Sequence, residues 1–156
     1  MKLILKRILF YIVSFTWGGL MSMIGLVALL VTLPFGKFGV YHGRLYKRLG
    51  KNWGGVELGC FFFCDETTGE HTLAHESGHG LQNCLWGPLM PFVVCIPSAA
   101  RYWYREYIYC TNREKYYTLP SYDAAWFEGQ ATKWGEQYVA TDKIWKLFYF
   151  FHFYKI

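Results

Sequence analysis

Charge is scarce in this chain. Only 17% of its 156 residues are Asp, Glu, Lys or Arg, against roughly a quarter in an ordinary soluble domain. The shortfall points toward a membrane. No continuous basic stripe is present, which argues against nucleic-acid binding even though the net charge is +5. The basic residues gather instead at Lys2, Lys6 and Arg7 and again between Lys37 and Lys51. No pair of the five cysteines has CxxC spacing, so a zinc knuckle or dithiol redox site is excluded. The odd cysteine count and the apolar setting of Cys60 and Cys64 favour buried free thiols over an oxidising compartment. Internal repeats and low-complexity tracts are also lacking.

What the chain does have is a long apolar run. Ile8 to Gly36 carries no charge and exceeds the roughly 20 residues needed to cross a bilayer. It is too long for a signal-peptide core and lacks a small-residue cleavage site. The length predicts one transmembrane helix over about 8–34, ended by Pro34 and Gly36, with residues 1–36 as a membrane anchor. Two full spans do not fit; a membrane-inserted hairpin is the other arrangement the length allows. The greater number of Lys and Arg after the run places the rest of the chain on the cytosolic side. The lipid bilayer is thus the expected partner.

Residues 37–54 read as a basic linker, and 55–156 as a single domain. Gly55–Cys64 is rich in β-branched and aromatic residues and reads as a strand. The polar turn DETTGE follows, then a helix that ends before Gly87 and Pro88. The Pro88–Ala100 stretch is apolar but short and broken by three prolines, which suits an interfacial, re-entrant or core segment. Thr111 and Glu114 fit a capping box. Tyr122–Val139 reads as another helix. The tail from Ile144 is intensely aromatic and fits either a bilayer interface or core packing.

The chemistry concentrates in HTLAHESGHG, His71 to Gly80. His75-Glu76-Ser77-Gly78-His79 is HExxH. On a helix, residues four apart lie about 40° apart around the axis and one turn along it. His75 and His79 can therefore grip one cation from one face. Glu76 lies about 60° beyond His79, beside the metal rather than on it, where a carboxylate can activate water. His71 lies one turn earlier. Three histidines spread over about 12 Å of axis do not close a tetrahedron, so His71 is left to the helix entry, the substrate or solvent.

The segment resembles the extended zincin signature of zinc metallopeptidases, with Thr72 three before the first histidine, uncharged residues in the gaps and Leu81 two after the second. Gln82 and Leu85 stand where the metzincin branch needs glycine and histidine, which excludes that branch. The gluzincin branch takes its third ligand from a glutamate on a later helix, and FEGQAT, Phe127 to Thr132, resembles that element. The resemblance implies a zinc site of His75, His79 and Glu128 with Glu76 as general base. Many gluzincins carry an Asp four residues after that glutamate; here Thr132 takes its place. Glu106, Glu114, Asp123 and Glu136 are rival ligands; the small Gly129 and Ala131, which permit close helix approach, favour Glu128. Tyr116, Tyr117, Tyr122, Arg113 and His71 are candidate oxyanion stabilisers. The chain from about Gly54 to Tyr138 is also similar, more weakly, to small bacterial membrane proteins with this order of elements, which implies an inner-membrane location. A site-2-protease-like arrangement is disfavoured by the polar CDETTGEH flank and the lack of an Asp-Gly element.

The expectation is an α+β protein with an N-terminal transmembrane helix and a minimal zincin-like domain. Its expected function is hydrolysis of a peptide bond in a peptide or protein substrate near the membrane, with Zn2+ as cofactor. The alternative is a non-catalytic membrane protein with a zincin-like structural or regulatory core.

Overall fold

A computed structural model describes residues 2–153, with side chains described over 4–142. The aromatic tail from Ile144 lies outside the described side chains. The fold is α+β: a four-stranded sheet amid predominantly helical structure.

The apolar run is not one helix. It forms α1 (Lys2–Phe15) and α2 (Gly19–Val31), bent by 91° at the break. No single described helix is long and apolar enough to cross a membrane, which corrects the expected continuous span. The cause is a polar corner that hydropathy does not register. The Thr16 hydroxyl donates to Ile12 O at 2.7 Å, and Ser22 Oγ donates to Ser14 O at 2.6 Å across the bend. Asn83 Nδ2 donates to Gly18 O at 3.4 Å, and Trp17 Nε1 to Leu85 O at 3.3 Å. A Cβ on Gly18 would overlap the Asn83 amide, so this glycine permits the close approach. The bend is thus held both within the run and from outside it, by the helix that follows the sheet.

The expected basic linker folds as a hairpin, β1 (Lys37–Tyr41) and β2 (Arg44–Arg48). His42 and Gly43 turn it with positive φ of 49° and 86°, as a two-residue hairpin requires. Buried Lys47 donates to Thr32 O at 2.7 Å and Leu33 O at 3.3 Å, supplying cationic donors to carbonyls at the end of α2. The expected single strand over 55–64 is two, β3 (Gly55–Leu58) and β4 (Phe61–Cys64). Gly59, at φ 76°, makes the turn hard against the Ser22 backbone. Sheet order is β1-β2-β4-β3, with β2 and β4 parallel and the other pairs antiparallel. Strand β4 is central and buried at every residue, and β3 is an edge.

Asp65 organises the turn after the sheet. It accepts from the backbone N–H of Trp53, Gly54 and Thr67 and from the hydroxyls of Thr67 and Thr68. The Thr67 hydroxyl foremost, with these other donors, holds its pKa well below the usual carboxylate range against burial. Helix α3 (Glu70–Trp86) starts there. A short 3-10 turn and a π-helical segment (Pro91–Cys95) lead into α4 (Ile96–Thr111), so the proline-broken stretch is helical, with a sharp bend before Pro91. Asn112, not Thr111, caps α5 (Arg113–Thr118), accepting from Lys115 N at 3.0 Å. A 3-10 turn at Tyr122–Ala124 precedes α6 (Trp126–Phe153).

Helices α3 and α6 cross backbone to backbone. A Cβ on Gly78 would overlap Ala131 O, and one on Gly135 would overlap Ala74 O. Glycine costs about 1 kcal/mol against alanine in a helix interior, and here that cost accompanies contact between two helices that both carry site residues. Gly78→Ala should destabilise the protein by about 1–3 kcal/mol through overpacking, read as a lower denaturation midpoint. Gly69→Ala is the control, since a Cβ there meets nothing within 4 Å. The middle of α6 is tied down by buried Asp142, which pairs with Arg7 of α1 at 2.6 Å and with His42 of the β1–β2 turn.

Candidate metal centre

His75, His79 and Glu128 come together at the α3–α6 crossing, each buried, their ligand atoms all within 4.8 Å of one another. Glu128 Oε2 lies 3.1 Å from His75 Nε2 and 3.3 Å from His79 Nε2, and the two Nε2 atoms are 3.0 Å apart. Four-coordinate zinc with bonds near 2.05 Å needs ligand atoms about 3.3 Å apart. The three donors therefore have nearly the spacing of a filled tetrahedral face. Both Glu128 oxygens are buried, and the groups that hold its charge are the two imidazoles foremost and the Ser98 hydroxyl, which suits a carboxylate and two imidazoles aimed at a common point. This group could hold a metal ion. Of the rival acids, Glu106 and Asp123 reach only the wall of the adjoining cleft, while Glu114 and Glu136 are exposed outside it.

The outer nitrogens of both imidazoles are also occupied. His75 Nδ1 meets Thr132 Oγ1 at 2.8 Å, so threonine orients this ring where many gluzincins use a charged residue. His79 Nδ1 meets Gln82 Oε1 at 2.7 Å. Gln82 is fixed in turn, its amide donating to Phe127 O at 2.7 Å and Gln130 Oε1 at 3.0 Å. Such partners fix ring orientation and leave Nε2 for the metal. The sequence gives no motif for Gln82; its place three residues after His79 on the same helix is the only signal. Thr132→Val should weaken metal binding about 10–100-fold with the fold intact, measured by competition against a chromophoric chelator.

Electrostatics agree with this geometry. Burial pushes the His79 pKa down, but Glu128, Glu76 and Gln82 outweigh it and lift it to about 9. Burial pushes Glu128 up, and the two imidazoles overcome it, holding the carboxyl well below its ordinary value. Glu76 is buried, and burial raises its pKa against the opposing pull of His79 and His75. Its Oε2 has no hydrogen-bond partner. Its side chain packs against Gly55 of β3, where a Cβ would stand 2.6 Å from Oε1.

A cleft of about 680 Å³ opens beside these residues, between β3 and α4. His71, Tyr116 and Tyr122 line it, whereas Tyr117 and Arg113 do not. The Tyr122 ring lies 6.3 Å from that of His75. Burial, opposed by a hydrogen bond with Ser98 and reinforced by Glu128, raises its hydroxyl to about 12. Two guanidiniums hold Tyr122 in place. Arg101 donates to Tyr122 O at 3.1 Å and Ser121 O at 2.6 Å, and Arg105 to Pro120 O at 2.7 Å. Among the site residues that sequence reasoning missed, Glu57 stands out: it is 5% exposed, on β3, and lines the same cleft.

No family model, no curated protein and no solved structure matches the chain.

Proposed function

We propose that the protein is a membrane-associated zinc-dependent peptidase. The carrying observation is the buried convergence of His75, His79 and Glu128 beside an acid, Glu76, at the end of an open cleft. Two imidazoles and one carboxylate are a donor set of catalytic zinc sites. Zinc bound there supplies a Lewis acid that polarises a carbonyl and makes water acidic enough to react near neutral pH. Glu76, poised upward by burial, takes the proton from water and passes it to the leaving amine. Tyr122, protonated at any working pH, donates to the carbonyl oxygen as charge develops on it. The substrate is an extended peptide: Gly55 to Glu57 of edge strand β3 line the cleft, and an edge strand pairs with an added one.

Membrane association is supported by exposure. Ile8 and Ile12 on α1, Trp17 at the bend, and Met23, Val27 and Val31 on α2 are each at least half exposed, and clustered exposed apolar side chains mark an interaction surface. Helix α2, at 13 residues, is about 20 Å long, short of the ~30 Å hydrocarbon core. At 91° to each other, α1 and α2 suit immersion in one leaflet better than a crossing.

The reading is tested on full-length protein purified in detergent. Zinc-loaded protein should cleave members of a broad peptide library, stop after chelation, and resume on adding zinc. Bound zinc without cleavage of any peptide would favour the non-catalytic alternative.

A further inference from the structure

A second face of the molecule is apolar outward. Cys84 to Ala100 carries no Asp, Glu, Lys or Arg. It runs through the end of α3, the 3-10 turn (Gly87–Leu89), the π-helical segment and the start of α4, with a bend of 118° between Glu70–Leu89 and Pro91–Thr111. Met90 and Val94 point inward, each 1% exposed, and pack with Met21 of α2. Leu89, Phe92 and Ile96 point outward and are 52%, 67% and 58% exposed. This face continues the α1–α2 surface. Trp17 donates to Leu85 O, and a Cβ on Gly87 would stand 2.3 Å from Trp17 Nε1.

Under both faces the interior is polar. Ser14, Ser22 and Asn83 are fully buried, while Ile12, Met23 and Phe92 are more than half exposed. Water favours the reverse arrangement; hydrocarbon favours small polar side chains between helices and apolar ones outside. The backbone at the breaks is also provided for. Pro88, Pro91 and Pro97 each stand in the first two positions of a helical segment, removing donors that a helix start would orphan. Gly18 O and Leu85 O accept from Asn83 and Trp17. Lipid offers no partner to a stray backbone group, so a broken helix persists there only when its groups are satisfied internally. The end of the face is marked as well. Arg101 is the first charged residue after the run, and exposed Trp103, Tyr104 and Tyr107 begin about 10 Å along α4 from Ile96. Trp and Tyr gather where a helix meets the headgroups.

We propose that residues 85–96 form a second bilayer-immersed surface, continuous with α1 and α2, which seats the metal cleft against the lipid. Met90 and Val94 line that cleft, and they belong to the segment whose outer side is Phe92 and Ile96. A single helical layer therefore separates the cleft from hydrocarbon, and a peptide reaches it at the bilayer surface. The proposal rests on the membrane association of α1 and α2 and not on the zinc chemistry.

The full chain is reconstituted in phosphatidylcholine–phosphatidylglycerol vesicles that contain a lipid-soluble diazirine, photolysed, and mapped by peptide mass spectrometry. Leu89, Phe92 and Ile96 should label as strongly as Met23 and Val27 of α2. Tyr117, 75% exposed on α5, should stay unlabelled. In Phe92→Glu/Ile96→Glu, labelling over 89–96 should fall at least about tenfold, because a carboxylate is costly in hydrocarbon, with labelling of α2 unchanged. Labelling of α2 with 89–96 no higher than Tyr117 overturns the proposal and leaves membrane association standing; a chain then found dimeric in detergent would assign the face to a second copy. Labelling over 89–96 that survives in the double variant also overturns it. Should that variant not fold, the wild-type pattern decides. No labelling of either surface overturns the membrane association and this proposal with it.

Discussion

Glu128→Ala should empty the metal site. The glutamate approaches both histidines through one oxygen, at 3.1 Å and 3.3 Å, and among the described residues no other acid joins the cluster. Losing an outer partner of a ligand typically costs 10–100-fold in affinity; losing a ligand should cost more than about 100-fold, read as zinc stoichiometry falling from one per chain toward zero. The pH dependence follows from the same contacts. Without metal, His79 keeps its proton up to about pH 9, and bound metal must displace it. Zinc affinity in wild-type protein should therefore rise about tenfold per pH unit as pH increases toward 9, then level off. Stability of the metal-free chain runs the other way. The raised His79 contributes fully below its ordinary value of 6.5, and this contribution is lost as pH climbs through about 9. The depressed Glu128 contributes above its ordinary 4.5 and loses that contribution as pH falls. Metal-free protein should thus be most stable between those ordinary values, and adding zinc should stabilise it most at alkaline pH. A flat zinc affinity between pH 6 and pH 9 would contradict this ligand set.

Glu76→Gln should separate binding from turnover. The side chain is buried against Gly55 with one oxygen unpartnered, so the amide occupies the same space and cannot take a proton. Zinc content and thermal stability should stay close to wild type. Peptide hydrolysis should fall by at least about 10²–10⁴-fold, the usual contribution of a positioned general base, and the loss should appear in kcat with KM little changed. Hydrolysis retained at a tenth or more of wild type would remove Glu76 from the mechanism. Unchanged, barely detectable turnover in both proteins would favour the non-catalytic reading.

The His75, His79 and Glu128 cluster was legible in the sequence because its two halves are local. HExxH spacing places His75 and His79 on one helix face, and the FEGQAT resemblance with small Ala131 pointed to Glu128; Gly129, also expected to permit the approach, instead faces Asp123 O. Gly78 and Gly135 are the means of that approach, each in contact with a backbone carbonyl across the crossing. Thr132 was marked by its place four residues after Glu128, and it meets His75 Nδ1; the role of Gln82 was not legible, because hydrogen bonds from ring nitrogens depend on rotation about bonds that spacing does not fix. Glu57 was missed for a similar reason. It lies in a strand-forming run, where a lone carboxylate reads as solvent-facing, and only the packing of α3 on β3 buries it. The apolar run misled most. Composition measures hydrophobic length, whereas the bend at Thr16–Gly18 is held by Ser22 on Ser14 O and by two contacts with α3 distant in sequence, Asn83 to Gly18 O and Trp17 to Leu85 O. The hairpin in the basic stretch went unseen because burial of Lys47 under the end of α2 inverts the usual meaning of a lysine.

The central claim is that His75, His79 and Glu128 form one metal centre. Zinc K-edge X-ray absorption on the purified, zinc-loaded chain tests it most directly. The expected spectrum has two imidazole nitrogens and one or two oxygens at about 2.0–2.1 Å, with no sulfur, and the imidazole scattering should be lost in His75→Ala/His79→Ala. A sulfur shell at about 2.3 Å, or a spectrum unchanged in that double variant, would place the metal elsewhere and contradict the account.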